Sequence, residues 1–183
     1  MDITKLGAVE SQLEAAAYLM LRAFRPEPVH TLIGAARGIL YGLSISEPNR
    51  VLEKWDANIL FKVVGDDKKI RSYQNRVANF LKHADRDPDK ALANVDLSGL
   101  NELELQLCIY AFMAAKPVLT PRLWLGLLFL SLQKRGALVS FDQLLTAVEA
   151  TLAPHEFSKK WASMREIEGN ELRSICLELF EKV

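Results

Sequence analysis

Apolar side chains recur along most of this chain at intervals of three and four residues, the period of an amphipathic helix. Runs that alternate apolar and polar residues, as half-buried strands do, are missing, and so are the Asn-Gly and Asp-Gly pairs of β-hairpins. Proline and glycine divide the pattern into segments of helical length. We therefore predict an all-α fold of about eight helices, near residues 6–24, 29–43, 48–64, 66–87, 101–115, 120–132, 140–153 and 170–181.

The length of 183 residues is enough to bury one proper core, and we expect a single all-helical domain over 1–183. The longest stretch without helical periodicity is 88–99, which we interpret as a surface connection. A subdivision into 1–88 and 99–183 is the alternative, and its first part would be a four-helix half.

Two predicted helices carry more specific signals. Asn101 and Glu104 lie three positions apart and predict a capping box at the start of the fifth helix. The sixth helix is apolar almost all round between 122 and 132. Such a helix is either a central core helix or a surface for self-association. We expect a homodimer.

The charge balance narrows the classes of partner. The 23 basic and 23 acidic side chains cancel, which argues against the basic face that generic binding to a nucleic-acid backbone requires. Asp2 follows Met1 directly, so the start of the sequence carries no basic-then-apolar export signal. The longest apolar run, 123–132, is about half of a membrane span. We expect a cytoplasmic protein that binds neither DNA nor membrane, with Cys108 and Cys176 as free buried thiols.

Polar groups able to do chemistry gather on one predicted helix, which ends at Pro88. Its inward face carries Val77, Phe80 and Leu81, and a polar stripe runs along one flank of that face. We expect this stripe to be half buried, so that its members need hydrogen-bond partners. Its members are Ser72, Arg76, Asn79, His83 and Asp87.

Arg76 and His83 are nearly two helical turns apart and project from the same side. A guanidinium can hold a phosphate, and an imidazole can move a proton near neutral pH. This interval resembles the Arg-then-His motif of the HEPN nucleases (higher eukaryotes and prokaryotes nucleotide-binding), which are small helical bundles. The resemblance implies a metal-independent RNase, or a toxin or antiphage component, in which two motifs meet across a dimer. Arg76 and His83 would then be catalytic, with Asn79 beside them and RNA as the substrate.

The second predicted helix offers further candidates at its N-terminal end, where His30 could reach a common site with His83. A polar ligand held between the second and fourth helices would meet His30, Thr31 and Asp87. His83 and Asp87 are one turn apart, which also permits a His/Asp metal site. Because the chain has only 3 histidines and no second cluster of carboxylates, we expect no metal or other cofactor.

The remaining interpretation is structural, with Asn79, His83 and His30 tying two helices together through buried hydrogen bonds. The Asn79 to Pro88 stretch, NFLKHADRDP, together with residues 30–36, also looks like a group of uncharacterised bacterial helical proteins, a likeness that implies no activity. We favour a binding or interaction module with a polar site between the second and fourth helices. The HEPN-like RNase and the metal-binding protein are the alternatives, so whether the chain is an enzyme stays open.

Overall fold

The computed structural model describes residues 3–46, 72, 75–77, 79–81, 91–93, 95–133 and 170–183. Most of these residues are helical, and none of them belongs to a strand. The predicted all-α class is therefore confirmed for the part of the chain that is described. The predicted helices at 48–64 and 140–153 lie outside it. Five helices have defined bounds, namely α1 (Lys5–Leu21), α2 (Pro26–Ser46), α3 (Leu97–Ala115), α4 (Pro121–Gln133) and α5 (Asn170–Lys182), and the described residues between 72 and 81 are also helical.

α4 and α5 begin where the sequence predicts, but α1 ends three residues early. Ala23 adopts a left-handed conformation with φ of 50°, and its N–H bonds to Met20 O at 3.0 Å. The N–H of Phe24 reaches back to Leu19 O at 2.9 Å. This pair of bonds is a Schellman motif, which closes a helix by using its last carbonyls as acceptors. Phe24 consequently lies beyond the helix and is exposed.

The predicted capping box at Asn101 and Glu104 is wrong. The N-cap of α3 is Asp96, whose Oδ1 accepts a hydrogen bond from the Gly99 N–H at 2.9 Å. An aspartate at this position satisfies one of the free N–H groups of the first turn, so the helix begins several residues earlier than the sequence pattern indicates. Asn101 and Glu104 therefore lie inside α3, where both are buried.

The chain forms two compact units. The first unit comprises Met1–Ala16 and Arg25–Pro117, and in it α2 packs against α3. The second unit comprises Ala17–Phe24 and Val118–Val183, and in it α4 packs against α5. The single domain that the sequence predicts, and its alternative subdivision, stay predictions.

Each unit has an interior of apolar side chains. Apolar side chains of α2 and α3 that are fully or almost fully buried include Val29, Ile33, Leu105, Ile109 and Phe112. α4 is buried on nearly all sides, in agreement with its continuous apolar pattern, which supports the core-helix alternative for this segment. Its buried leucines are Leu123, Leu125, Leu127, Leu128 and Leu130.

Two further expectations concern membrane-spanning helices and the cysteines. None of the described helices combines the length and the apolar character needed to cross a membrane. Cys108 and Cys176 are free and buried, as predicted.

Candidate binding site between two helices

The N-terminal turns of α2 place a histidine inside the first unit. His30 follows Pro26, the first residue of α2, by one turn, and three residues later Ile33 is also buried. Residues three and four apart share a helix face, so the face that buries Ile33 against the core also carries the imidazole inward. His30 is only 1% exposed. A buried imidazole needs hydrogen-bond partners, and α3 supplies them.

Asn101 of α3 fixes the orientation of that imidazole. Its side-chain Nδ2 donates a hydrogen bond to Pro26 O at 2.7 Å, and its Oδ1 lies 2.9 Å from His30 Nδ1. Because the amide nitrogen is engaged by a carbonyl, the oxygen that faces the ring can only accept. His30 Nδ1 must therefore be the donor and carry the proton. A hydrogen bond at one ring nitrogen selects the tautomer in this way.

Glu104 adds a charged group one turn along α3. Its side chain is 1% exposed, and its Oε1 accepts a hydrogen bond from Arg37 Nη1 of α2 at 3.0 Å. Its Oε2 lies 3.7 Å from His30 Nδ1. A buried carboxylate is tolerated only with such compensation, and Arg37, which is 28% exposed, keeps part of its guanidinium in water. We call His30, Arg37, Asn101 and Glu104 the polar cluster.

The polar cluster also changes the chemistry of a neighbouring thiol. Cys108 follows Glu104 by one turn on α3. Burial, with a smaller contribution from the Glu104 carboxylate and an opposing one from Arg37, raises the pKa of Cys108 from 9.0 to about 12. This thiol is therefore protonated and unreactive at neutral pH.

The second ring nitrogen of His30 differs from the first. The Nε2 of His30 is buried and has no hydrogen-bond partner among the described residues. Buried polar atoms in native proteins are nearly always paired, so a specific exception points to a water molecule, an ion or a ligand. One turn further along α2, no atom of the described residues lies within 4 Å of the position where a Cβ on Gly34 would stand.

The sequence-predicted site residues are only partly brought together. Of the residues on the polar stripe, Ser72, Arg76 and Asn79 are exposed, and the expectation that they are half buried is wrong. Val77 between them is fully buried, as predicted, so the described positions of this helix turn Val77 inward and these three polar residues outward. His83 and Asp87 lie outside the described residues, so their relation to His30 stays a prediction.

Thr31, the other predicted ligand-binding residue of α2, has no hydrogen bond to the polar cluster among the described contacts. It is exposed, and its hydroxyl donates a hydrogen bond to Glu27 O one turn back at 3.1 Å. This local bond satisfies the hydroxyl without a ligand.

Sequence reasoning missed Asn101, Glu104 and Arg37 as members of a site. A usable signal was present, because Asn101 and Glu104 share a helix face with the apolar Leu105 and Cys108. Polar residues inside an apolar stripe indicate a buried polar contact, whereas we interpreted them as a helix start. Within the described residues, no group of three or more His, Cys, Asp or Glu side chains could hold a metal ion.

Comparison with known proteins adds no family to this geometry. No family model matches the chain, and neither a curated protein nor a solved structure matches it. Functional inference therefore depends on the residues themselves.

Proposed function

We propose that this chain is a binding module whose ligand site is the polar cluster between α2 and α3. The observation that carries the proposal is the Nε2 of His30, which is buried, fixed in orientation and without a partner among the described residues. A purely structural network would satisfy all of its atoms, because an unpaired buried acceptor costs about 1–3 kcal/mol. A ligand that pairs with this nitrogen recovers that cost on binding.

The rest of the polar cluster supports binding more than catalysis. Glu104 is already engaged by Arg37, and His30 by Asn101, so each of these groups is held in one position. Such preorganisation favours recognition because little is reorganised on binding. A catalytic nucleophile must also be reactive, and the Cys108 thiol, one turn from Glu104, is held protonated by burial.

The experiment is a ligand-observed NMR screen of small polar fragments against the full chain and three variants. His30→Phe keeps a ring but removes both nitrogens. Gly34→Leu alters no member of the polar cluster and adds a side chain to α2 one turn beyond His30, where no described atom lies within 4 Å of the Cβ position. Thr31→Ala is the matched control, because its exposed hydroxyl serves only the local bond to Glu27. We expect a set of fragments that binds the unaltered chain and the control and is lost in the other two.

Circular dichroism establishes that each variant is folded before it is screened. Fragments that bind all four proteins equally would contradict the proposal, and so would a screen with no binder at all. If His30→Phe fails to fold, Gly34→Leu alone decides the outcome.

A second candidate function, cleavage of RNA, is favoured by the exposure of Arg76 and Asn79. Under this proposal Arg76 would hold the phosphate and His83 would move the proton, across the homodimer that the sequence predicts. Both residues of such a pair must be reachable by a substrate, and Arg76 meets that requirement. A labelled single-stranded RNA incubated with the full chain, Arg76→Ala, His83→Ala and the control Asn75→Ala tests it. Cleavage by the unaltered chain and the control that is lost in Arg76→Ala and in His83→Ala would support the RNase function. RNA left intact by the unaltered chain would reject it.

A further inference from the structure

We infer that the ligand of the polar cluster is an uncharged group that donates a hydrogen bond, an N–H or O–H, to His30 Nε2. This inference rests on the proposed function and names the chemical class of its ligand. It follows from the tautomer of the ring, the charge balance of the polar cluster and the space beside Gly34.

The tautomer decides which partner the free nitrogen takes. The bond to Asn101 Oδ1 places the proton on His30 Nδ1, so in the neutral ring Nε2 presents a lone pair. A lone pair accepts hydrogen bonds and repels other acceptors. Carboxylates, phosphates and ketones are therefore poor ligands at this atom, whereas alcohols, amides and aromatic N–H groups suit it.

The charge balance excludes a charged donor. Glu104 is the one carboxylate of the polar cluster, and Arg37 already lies 3.0 Å from it. A cationic ligand would have to leave water without a counter-charge of its own, a transfer that costs several kcal/mol. An uncharged donor avoids this cost and still satisfies the nitrogen.

The absence of a side chain at Gly34 leaves space for a ligand on this side of α2. A helical side chain leans toward the N-terminus and covers the turn before its own Cα. A side chain at position 34 would therefore cover the turn that carries His30. Gly34 has no such side chain, and within the described part of the chain no atom lies within 4 Å of where its Cβ would be. A small planar group can occupy the space that a side chain there would fill.

The test uses two five-membered rings of nearly equal size, pyrrole, which has an N–H, and furan, which does not. The 15N-labelled full chain is titrated with each, and with acetate as the anionic probe. Long-range 1H–15N correlation spectra follow the ring nitrogens. With only 3 histidines in the chain, the resonances of His30 are assigned from the His30→Phe variant. Before any probe is added, we expect Nδ1 of His30 to carry the proton and Nε2 to be bare.

Pyrrole should then shift the Nε2 resonance in a saturable way, while furan and acetate at the same concentrations leave it unchanged. Gly34→Leu should abolish the pyrrole shift. Gly42→Leu should retain it, because Gly42 is also a glycine of α2 with no described atom within 4 Å of its Cβ position, but it lies three turns from His30.

Three results would overturn the inference: an equal shift with furan, a shift with acetate instead of pyrrole, or a proton found on Nε2. Its failure can be distinguished from that of the proposed function. Fragments lost in Gly34→Leu, combined with no preference for pyrrole over furan, would keep the site and reject the ligand class. Absence of any fragment binding would reject both.

Discussion

The α2–α3 interface of the first unit and the α4–α5 interface of the second are stabilised in different ways. The first encloses a histidine, an asparagine and a glutamate that are each at most 2% exposed. In the second, arginines lie over aromatic rings instead. The guanidinium of Arg122 is 5.6 Å from the ring centre of Phe180, and that of Arg173 is 5.7 Å from Phe129.

An ion pair of the second unit lies at the surface. Arg22 pairs with Glu181, and their side chains are 49% and 46% exposed. Tyr18, which contacts Arg22, packs against Phe180 with ring centres 5.6 Å apart. Water can replace the charge contacts of such a pair at little cost, so the packing of apolar and aromatic surface stabilises this unit.

The comparison shows that similar helix pairs can depend on their polar residues to very different degrees. Directional bonds in the first unit select one relative position of α2 and α3, because a shift along either helix would leave buried charge unpaired. Apolar packing in the second unit is more tolerant of small shifts. The following predictions test that difference, beginning with the largest expected effect.

Each unit contains one buried cysteine, so the rate at which a reagent labels the thiol can be measured for each unit separately. Burial raises the pKa of Cys108 and of Cys176 from 9.0 to about 12. Three pKa units reduce the thiolate fraction near neutral pH about a thousandfold, so a thiol reagent at pH 8 should label the folded chain about a thousandfold more slowly than the unfolded chain. Mass spectrometry of the digested chain resolves the two sites. Equal rates for folded and unfolded chain would contradict the buried position of either cysteine.

The raised pKa values of the same two thiols predict how the stability of the chain falls at alkaline pH. Because their pKa is raised in the folded state, the stability they favour is present below pH 9 and is lost as the pH rises from about 9 to about 12. Thermal melts across this range, compared with those of Cys176→Ala, measure the contribution. A variant that loses as much stability as the unaltered chain would show that Cys176 does not contribute to the alkaline loss.

Removal of one carboxylate from each unit should show most clearly how the stability of the two units depends on polar residues. Glu104→Ala leaves Arg37 without this partner and opens a cavity in the first unit, so we expect a loss of about 3 kcal/mol in the free energy of unfolding. Glu181→Ala removes an exposed partner of Arg22 and should be nearly neutral. Urea denaturation followed by circular dichroism measures both. Similar losses for the two variants would show that the polar cluster has no special role.

The smallest predicted effects come from two glycines of the first unit, with opposite signs. A methyl group added at Gly99 would overlap the side chain of Asp96, so Gly99→Ala should weaken the N-cap of α3 and cost about 1 kcal/mol. Gly38 is an exposed position inside α2, and no described atom lies within 4 Å of its Cβ position, so Gly38→Ala should gain about 0.5–1 kcal/mol. Thermal melts of the two variants check the signs. A stabilising Gly99→Ala would mean that Asp96 is not the cap.

The sequence by itself determined the features that depend on neighbours along the chain. The three-and-four spacing of apolar residues predicts the helices, and proline locates the start of α4, since Pro121 is its first residue. The inward position of Val77 and the buried free cysteines follow from the same periodicity. These properties are local, because a helix face is fixed by the residues of that helix alone.

Only the tertiary structure decided which polar side chains meet. His30 and Asn101 are 71 positions apart, and Arg37 and Glu104 are 67 apart, so no local pattern could pair them. Asn101 and Glu104 satisfy the spacing of a capping box and of a buried cluster equally well, and the competing cap at Asp96 selects between the two. The free Nε2 of His30 likewise depends on which atoms surround it in space. Hydrogen bonds between distant segments form only when packing brings those segments together, and that packing is the information a spacing pattern does not contain.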